Sequence, residues 1–232
     1  LLWSFFNPIL MLIIYTFVFS IVFKARWPGG SESKTEFALV LFSGLMVFNL
    51  FSECINRAPS LILNNANYVK KVIFPLEILP IVALGAAFFH FAISLIVWLV
   101  FFFIFFGLPK PEIFLLLAVL IPLMFLIMGL SWGLASLGVY LRDVSQVVGV
   151  LTTVLMFMSP IFYPISALPE QYRALMHLNP LTFSVEQARD VMIWGKGINW
   201  SDWSLQLLVS LSIFWLGFAW FQKTRKGFAD VL

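Results

Sequence analysis

Eleven acidic residues, fourteen lysines and arginines, two histidines and one cysteine supply nearly all the ionic and nucleophilic chemistry open to these 232 residues. The one acid inside a long apolar run is Glu53, near that run's end, with Arg57 four residues on. That spacing puts both on one helical face and predicts an ion pair at headgroup depth rather than a coupling carboxylate. His90 is the only histidine within such a run, and a lone imidazole there reads as hydrogen-bonded inside a helix bundle rather than as a proton relay. His177 lies outside the runs without a partner pattern. Cys54 stands alone, which excludes an intramolecular disulfide and a thiolate metal cluster. Phosphate-loop, metalloprotease and nucleophile-elbow motifs are absent; Gly195-Lys196-Gly197 lacks the leading glycine and the hydroxyl of the first. A charge at the centre of a spanning helix costs about 2.5–3.5 kcal/mol, and no run centre holds one. Energy for any transport must therefore arrive from outside the bilayer, and any ATP must be bound by another chain.

Two apolar runs carry a polar stripe. In the first, Ser4, Asn7, Met11, Tyr15 and Phe19 recur at three- and four-residue steps and share one helical face. In the fifth, Ser145, Gly149, Thr152, Met156, Ser159 and Tyr163 do the same. Two readings fit: small and hydroxyl residues pack spanning helices together, or they line a polar passage with aromatic rungs. Gly129 and Gly133 in the fourth run form a small-xxx-small pair that predicts close helix packing. The chain has 27 Phe, 9 Trp and 5 Tyr, enough for lipid contact and interfacial anchoring. Such rings also offer apolar faces to the C–H face of a sliding sugar.

The elements that position these residues must sit in lipid. The chain is 62% apolar with a mean hydropathy of +1.00 and only 11% charged residues. Soluble domains carry about 25% charge, so a soluble enzyme, a nucleic-acid module and a disordered tail are all excluded. Crossing the hydrocarbon core takes about 20 apolar residues. Six runs meet that need, at about 1–23, 37–55, 78–106, 113–140, 144–165 and 203–221. They are continuous over twice the length of a barrel strand, so the predicted class is all-α and polytopic. The chain opens at Leu1, without a methionine and already inside a run, and a natural start upstream is expected; no cleaved signal peptide is visible.

Six spans put both ends on one side, together with the loop 56–77 and the turn at Arg142 and Asp143. Lys and Arg divide seven against seven between the two sides, but the whole +3 net charge falls on the tail side, which favours a cytosolic tail. In the loop, Leu61, Tyr68 and Val72 fall near one face of a short helix, and Asn64, Asn67 and Lys71 near another. Such a helix lies flat at the membrane and shows a polar face to a partner. Pro75 ends it.

The run from Asn67 to Pro80, NYVKKVIFPLEILP, resembles the coupling segment in the membrane subunits of bacterial polysaccharide ABC exporters, the O-antigen, capsule and teichoic-acid permeases. Three more stretches match in the same order: Leu141-Arg142-Asp143-Val144, Ser159-Pro160-Ile161-Phe162-Tyr163-Pro164 through Asn179-Pro180-Leu181, and the closing Phe228-Ala229-Asp230-Val231-Leu232. The family's amphipathic helix before the first span has no counterpart here. The resemblance implies a homodimer of six-span subunits in the bacterial inner (cytoplasmic) membrane, bound to two copies of a separate ABC ATPase. That partner would bind ATP and Mg, leaving this chain with no cofactor and no enzyme activity of its own. Residues 64–74 would form the coupling helix, with Asn64, Asn67, Tyr68, Lys70, Lys71 and Phe74 meeting the ATPase. Residues 166–194 would form an external re-entrant hairpin between the fifth and sixth spans. Independently, Pro164, Pro169 and Pro180 break that stretch into short helices, and Glu186, Arg189 and Asp190 read as a salt-bridged helix surface.

The first and fifth spans are those expected to line the channel, with Asn7, Tyr15, Phe19, Thr152, Phe157, Ser159 and Tyr163 along it. The expected cargo is an undecaprenyl-linked polysaccharide, with O-antigen preferred; lipid is the surrounding partner and nucleic acid is not one. A type-2 ABC permease for a drug or lipid shares the span count but not the FP-x-x-x-LP segment. A membrane-embedded glycan-modifying or acyl transferase would need clustered His, Asp or Glu at a membrane face, and no such cluster stands out.

Overall fold

The computed structural model describes residues 2–18, 27, 34–70 and 74–232, and every regular element among them is helical. In chain order these are α1 Leu2–Tyr15, α2 Lys34–Arg57, α3 Ala66–Lys70, α4 Ile78–Phe106, α5 Leu116–Tyr140, α6 Val144–Met158, α7 Glu170–His177, α8 Thr182–Arg189, α9 Trp200–Thr224 and α10 Phe228–Val231. Among the described residues, four stretches are long and apolar enough to cross a membrane: Thr35–Ser60, Ile78–Phe106, Pro111–Tyr140 and Trp200–Val231. The apolar helices Phe5–Val18 and Val144–Met158 are shorter over the residues described.

Sequence chemistry sets these bounds. α4 fills the whole run 78–106 and stops where Gly107 takes a positive φ of 83°, the backbone that lets a helix turn away, with Pro109 and Pro111 behind it. α9 outruns its apolar segment by three residues at each end, with Asp202 in its first turn and Lys223 in its last complementing the helix dipole. α6 falls short. Its apolar run continues to Ile165, but Pro160 has no N–H to donate and bars Ser159 from helical backbone, so the helix closes at Met158. Fifteen residues rise about 22 Å, less than the roughly 30 Å of a hydrocarbon core.

The chain divides into two compact units. The first takes Leu1–Asn49, Phe89–Val119 and Met156–Trp200. Its centre is α2, buried at every residue from 37 to 48, as expected of a helix that is apolar on all sides. Trp98 of α4 is fully buried, donates its indole N–H to Leu39 O at 3.1 Å and stacks on Phe102 at 4.7 Å. The expected proline breaks separate the turn Ile165–Ala167, α7 and α8, and α8 runs on through a wide turn, Asp190–Trp194, to Gly195 in left-handed backbone. His90 is exposed on α4 rather than enclosed in the bundle.

The second unit takes Leu50–Phe88, Leu120–Leu155 and Ser201–Leu232. Here α5 and α9 meet at glycine. A side chain at Gly129 would collide with Ile213 O and Phe214, and one at Gly217 with the backbone of Gly129. Gly133, expected to share that contact, faces open space instead. The small-residue contact is thus Gly129 with Gly217, across helices. Trp132 lies edge-on to Phe214 and Phe218 at 5.0 and 4.9 Å, in the geometry that aromatic quadrupoles favour. Glu53 and Arg57 form the expected exposed pair at 3.4 Å.

Candidate functional site

The second unit gathers the loop after α2, the turn before α6 and the tail. After α2 the chain makes tight turns at Ala58–Ser60 and Leu63–Asn65, then the single helical turn of α3. Asn64, in the turn Leu63–Asn65, and Asn67, in α3, are both exposed, and so is Tyr68. Tyr68 stacks on Phe74 at 4.8 Å and 25°. Lys70 closes α3, while Lys71 lies outside the described residues. This loop is tied down at both ends. At its start, Pro59 O presses on Gly138 of α5, where a side chain would not fit. At its end, Glu77 accepts two charge-assisted bonds from Arg225 Nη1, at 2.9 and 3.1 Å, and its backbone oxygen accepts the indole N–H of Trp132 at 3.0 Å. Tyr140 donates to Thr224 O at 2.9 Å, and Ser136 and Thr224 share a bond of 2.6 Å. Short polar contacts therefore join the end of this loop to α5 and to the turn after α9, and α5 to α9.

The residues expected along a passage divide by direction. Asn7 is exposed on α1 and Tyr15 half-buried; Phe19 lies outside the described residues. On α6, Thr152 turns inward: its Oγ1 is 2.9 Å from Asn56 Oδ1 and 3.0 Å from Gly149 O, so its one proton serves either acceptor. Ser159 is fully buried and accepts a bond from Asn179 Nδ2 at 2.9 Å. Phe157 is 60% exposed, its ring 5.8 Å from that of Phe162, and its carbonyl takes the Tyr163 hydroxyl at 2.8 Å. The exposed side of α6 carries Val147, Val150, Leu151, Val154, Phe157 and Met158, together with the polar Ser145, Gln146 and Thr153.

Two motifs that are separate in sequence join in space. Asn179 also donates to Met158 O at 3.1 Å and accepts from Leu181 N at 2.9 Å, so Asn179-Pro180-Leu181 caps the end of α6 beside Ser159-Pro160. Arg189 completes the junction. It is 3% exposed and not on a surface: its Nε donates to Val40 O at 3.1 Å, its two terminal nitrogens to Pro160 O and Ile161 O, and its guanidinium lies 4.4 Å from the Trp27 ring centroid. Burial pushes the guanidinium down, to about 9, while Glu186 and Asp190 pull the other way, and it keeps its charge at neutral pH. Asp190 pairs instead with Lys196, at 3.0 Å. Charge alternation suggested a surface network and missed this. The available signal was Gly44, the α2 position whose missing side chain leaves room for Arg189. Among the described residues, no three His, Cys, Asp or Glu side chains converge as a metal site.

Comparison with known proteins adds to this geometry. The model of the ABC-2 type transporter membrane family matches residues 1–193. The chain is 24% identical over its full length to the O-antigen export system permease protein RfbA of Klebsiella pneumoniae, covering 86% of that protein. It is 26% identical over 99% of its length to the RfbA protein of Myxococcus xanthus, again covering 86%. It is also 26% identical over 91% of its length to the polysialic acid transport protein KpsM of Escherichia coli, covering 82% of it. Residues 194–232 lie beyond the family match but within the similarity to RfbA.

Proposed function

Because the chain belongs to the ABC-2 type transporter membrane family, we propose that it is the membrane-spanning subunit of an ATP-driven exporter that moves a lipid-linked polysaccharide across the bacterial inner membrane. It is a multi-pass membrane transport protein, not an enzyme in its own right, and its family implies an ABC ATPase partner. The observation that carries the cargo is the similarity, over essentially the whole chain, to permeases of two polysaccharides, O-antigen and polysialic acid. In this reading α1 and α6 join the four long helices to make six spans, and residues 166–194 form an external re-entrant hairpin. Two such chains pair, two ATPase copies bind them, and ATP and Mg stay on the ATPase. The cargo is undecaprenyl-linked, with O-antigen preferred.

The chemistry asked of this chain is positional. ATP-driven closure of the partner displaces α3, and the bonds at Glu77, Trp132 and Thr224 carry that displacement into α5 and α9. In the passage, the rings of Tyr15, Phe157 and Tyr163 with Phe19 and Asn7 support the glycan through apolar and hydrogen-bonding contacts of no fixed charge, so a repeating polymer can slide. Thr152 and Ser159 hold α6 from behind. Doubly substituted Tyr15→Ala, Tyr163→Ala permease is expected to export more slowly while keeping its ATPase; unchanged surface polysaccharide in a strain carrying it would remove these rings from the passage.

A further inference from the structure

The tail of the chain folds back as a built element. After the tight turn Arg225–Gly227, Phe228 of α10 is fully buried, its ring 5.6 Å from Phe221 and 6.0 Å from Tyr140. Gly227 lies against the Tyr140 hydroxyl, 2.8 Å from where a Cβ would stand. α10 packs against α3. Between them lies an open groove of about 510 Å³, with Tyr68, Phe74 and Leu76 on one side and Arg225, Lys226 and Ala229 on the other. Its lining mixes apolar side chains with the charged Glu77, Arg225 and Lys226. Arg225 is matched by Glu77, while Lys226 at the rim is exposed with no acid paired to it among the described residues.

We infer that this groove is a second docking surface for the ATPase subunit, with the C-terminal tail as its fixed wall. The inference rests on the exporter reading above and adds the tail to it. Three features select this occupant. The groove is bounded on one side by α3, whose exposed Asn67, with Asn64 of the turn before it, faces the partner in that reading; its other wall carries two cations, Arg225 and Lys226; and the ATPase is the soluble partner the family brings. Its chemistry fits a segment that offers one apolar side chain to the Tyr68–Phe74 stack and a carboxylate to Lys226.

The test uses the complete permease co-expressed with its ATPase. Ala229→Trp fills the groove and Lys226→Glu reverses its rim charge, both at exposed positions. Each is expected to lower ATPase recovery on tagged permease about tenfold, the scale of one lost interface anchor, with thermal unfolding unchanged. Asn64→Lys and Asn67→Lys, outside the groove lining, are assayed in parallel. If these release the ATPase while Ala229→Trp and Lys226→Glu do not, the tail has no docking role and the coupling reading stands. If none releases it, both readings fall. Full ATPase recovery with weakened binding of Lys226→Glu to vesicles rich in anionic lipid would assign the groove to a headgroup and overturn the inference. Should Ala229→Trp unfold the permease, Lys226→Glu alone decides.

Discussion

Arg189 reaches across 149 residues of sequence to donate its Nε–H to Val40 O in the middle of α2, at 3.1 Å. With Pro160 O and Ile161 O on its other nitrogens, one guanidinium satisfies three backbone oxygens, two of them exposed by the break that ends α6.

Arg189→Met removes a planar donor that nothing else replaces. Leaving buried carbonyls unpaired is expected to cost about 3–5 kcal/mol, seen as a large fall in the unfolding temperature of the detergent-solubilised protein. Arg189→Lys is expected to recover little, because an ammonium on a flexible stem cannot serve three directions set by a planar fork. An Arg189→Lys variant as stable as the parent would disprove the clamp. Gly44→Ala probes the same junction from α2: its Cβ would lie 2.6 Å from Arg189 Nη2. The expected cost is about 1–3 kcal/mol, and it is expected to shrink in the Arg189→Met background.

Gly129 and Gly133 make a matched pair for the α5–α9 contact. Gly129→Ala drives a methyl group into Ile213 O and is expected to destabilise by about 1–3 kcal/mol. Gly133→Ala meets open space and adds helix propensity, so neutral to slightly stabilising is expected. Thermal unfolding of the two variants side by side decides it, and equal losses would contradict the assigned contact.

The Glu77–Arg225 pair is expected to matter more for coupling than for stability. Its side chains are 26% and 41% exposed, so solvent screens the attraction and its loss costs at most about 1 kcal/mol. Glu77→Arg is expected to leave the unfolding temperature nearly unchanged while reducing export per ATP hydrolysed. The exchanged pair, Glu77→Arg with Arg225→Glu, is expected to restore it. An exchange that exports no better than the single variant would argue against this route of transmission.

Helix type and the ends of α4 were legible from the sequence because both follow from local chemistry, continuous apolar runs and the Gly107–Pro109 stop. Contacts between distant segments were not. Spacing within one helix put Gly129 with Gly133, whereas the facing helix chose Gly129 alone by supplying Gly217. Residue type marked Arg189 as a surface cation, since nothing local in α8 records that three carbonyls wait for it. Likewise Thr152 and Ser159 shared a stripe with Tyr163, but their inward direction depends on Asn56 and Asn179, 96 and 20 residues away.

The early stop of α6 also bears on biogenesis. A helix that ends on bare carbonyls in apolar surroundings forfeits several kcal/mol until a donor arrives. Met158 O finds its donor in Asn179, 21 residues later, and the carbonyls of Pro160 and Ile161, just past the helix, find theirs in Arg189, 28 residues after Ile161. The break that ends α6 is therefore completed only once α8 has been made. A nascent chain truncated before Arg189 would hold α1 to α6 but leave the carbonyls of Pro160 and Ile161 without that donor.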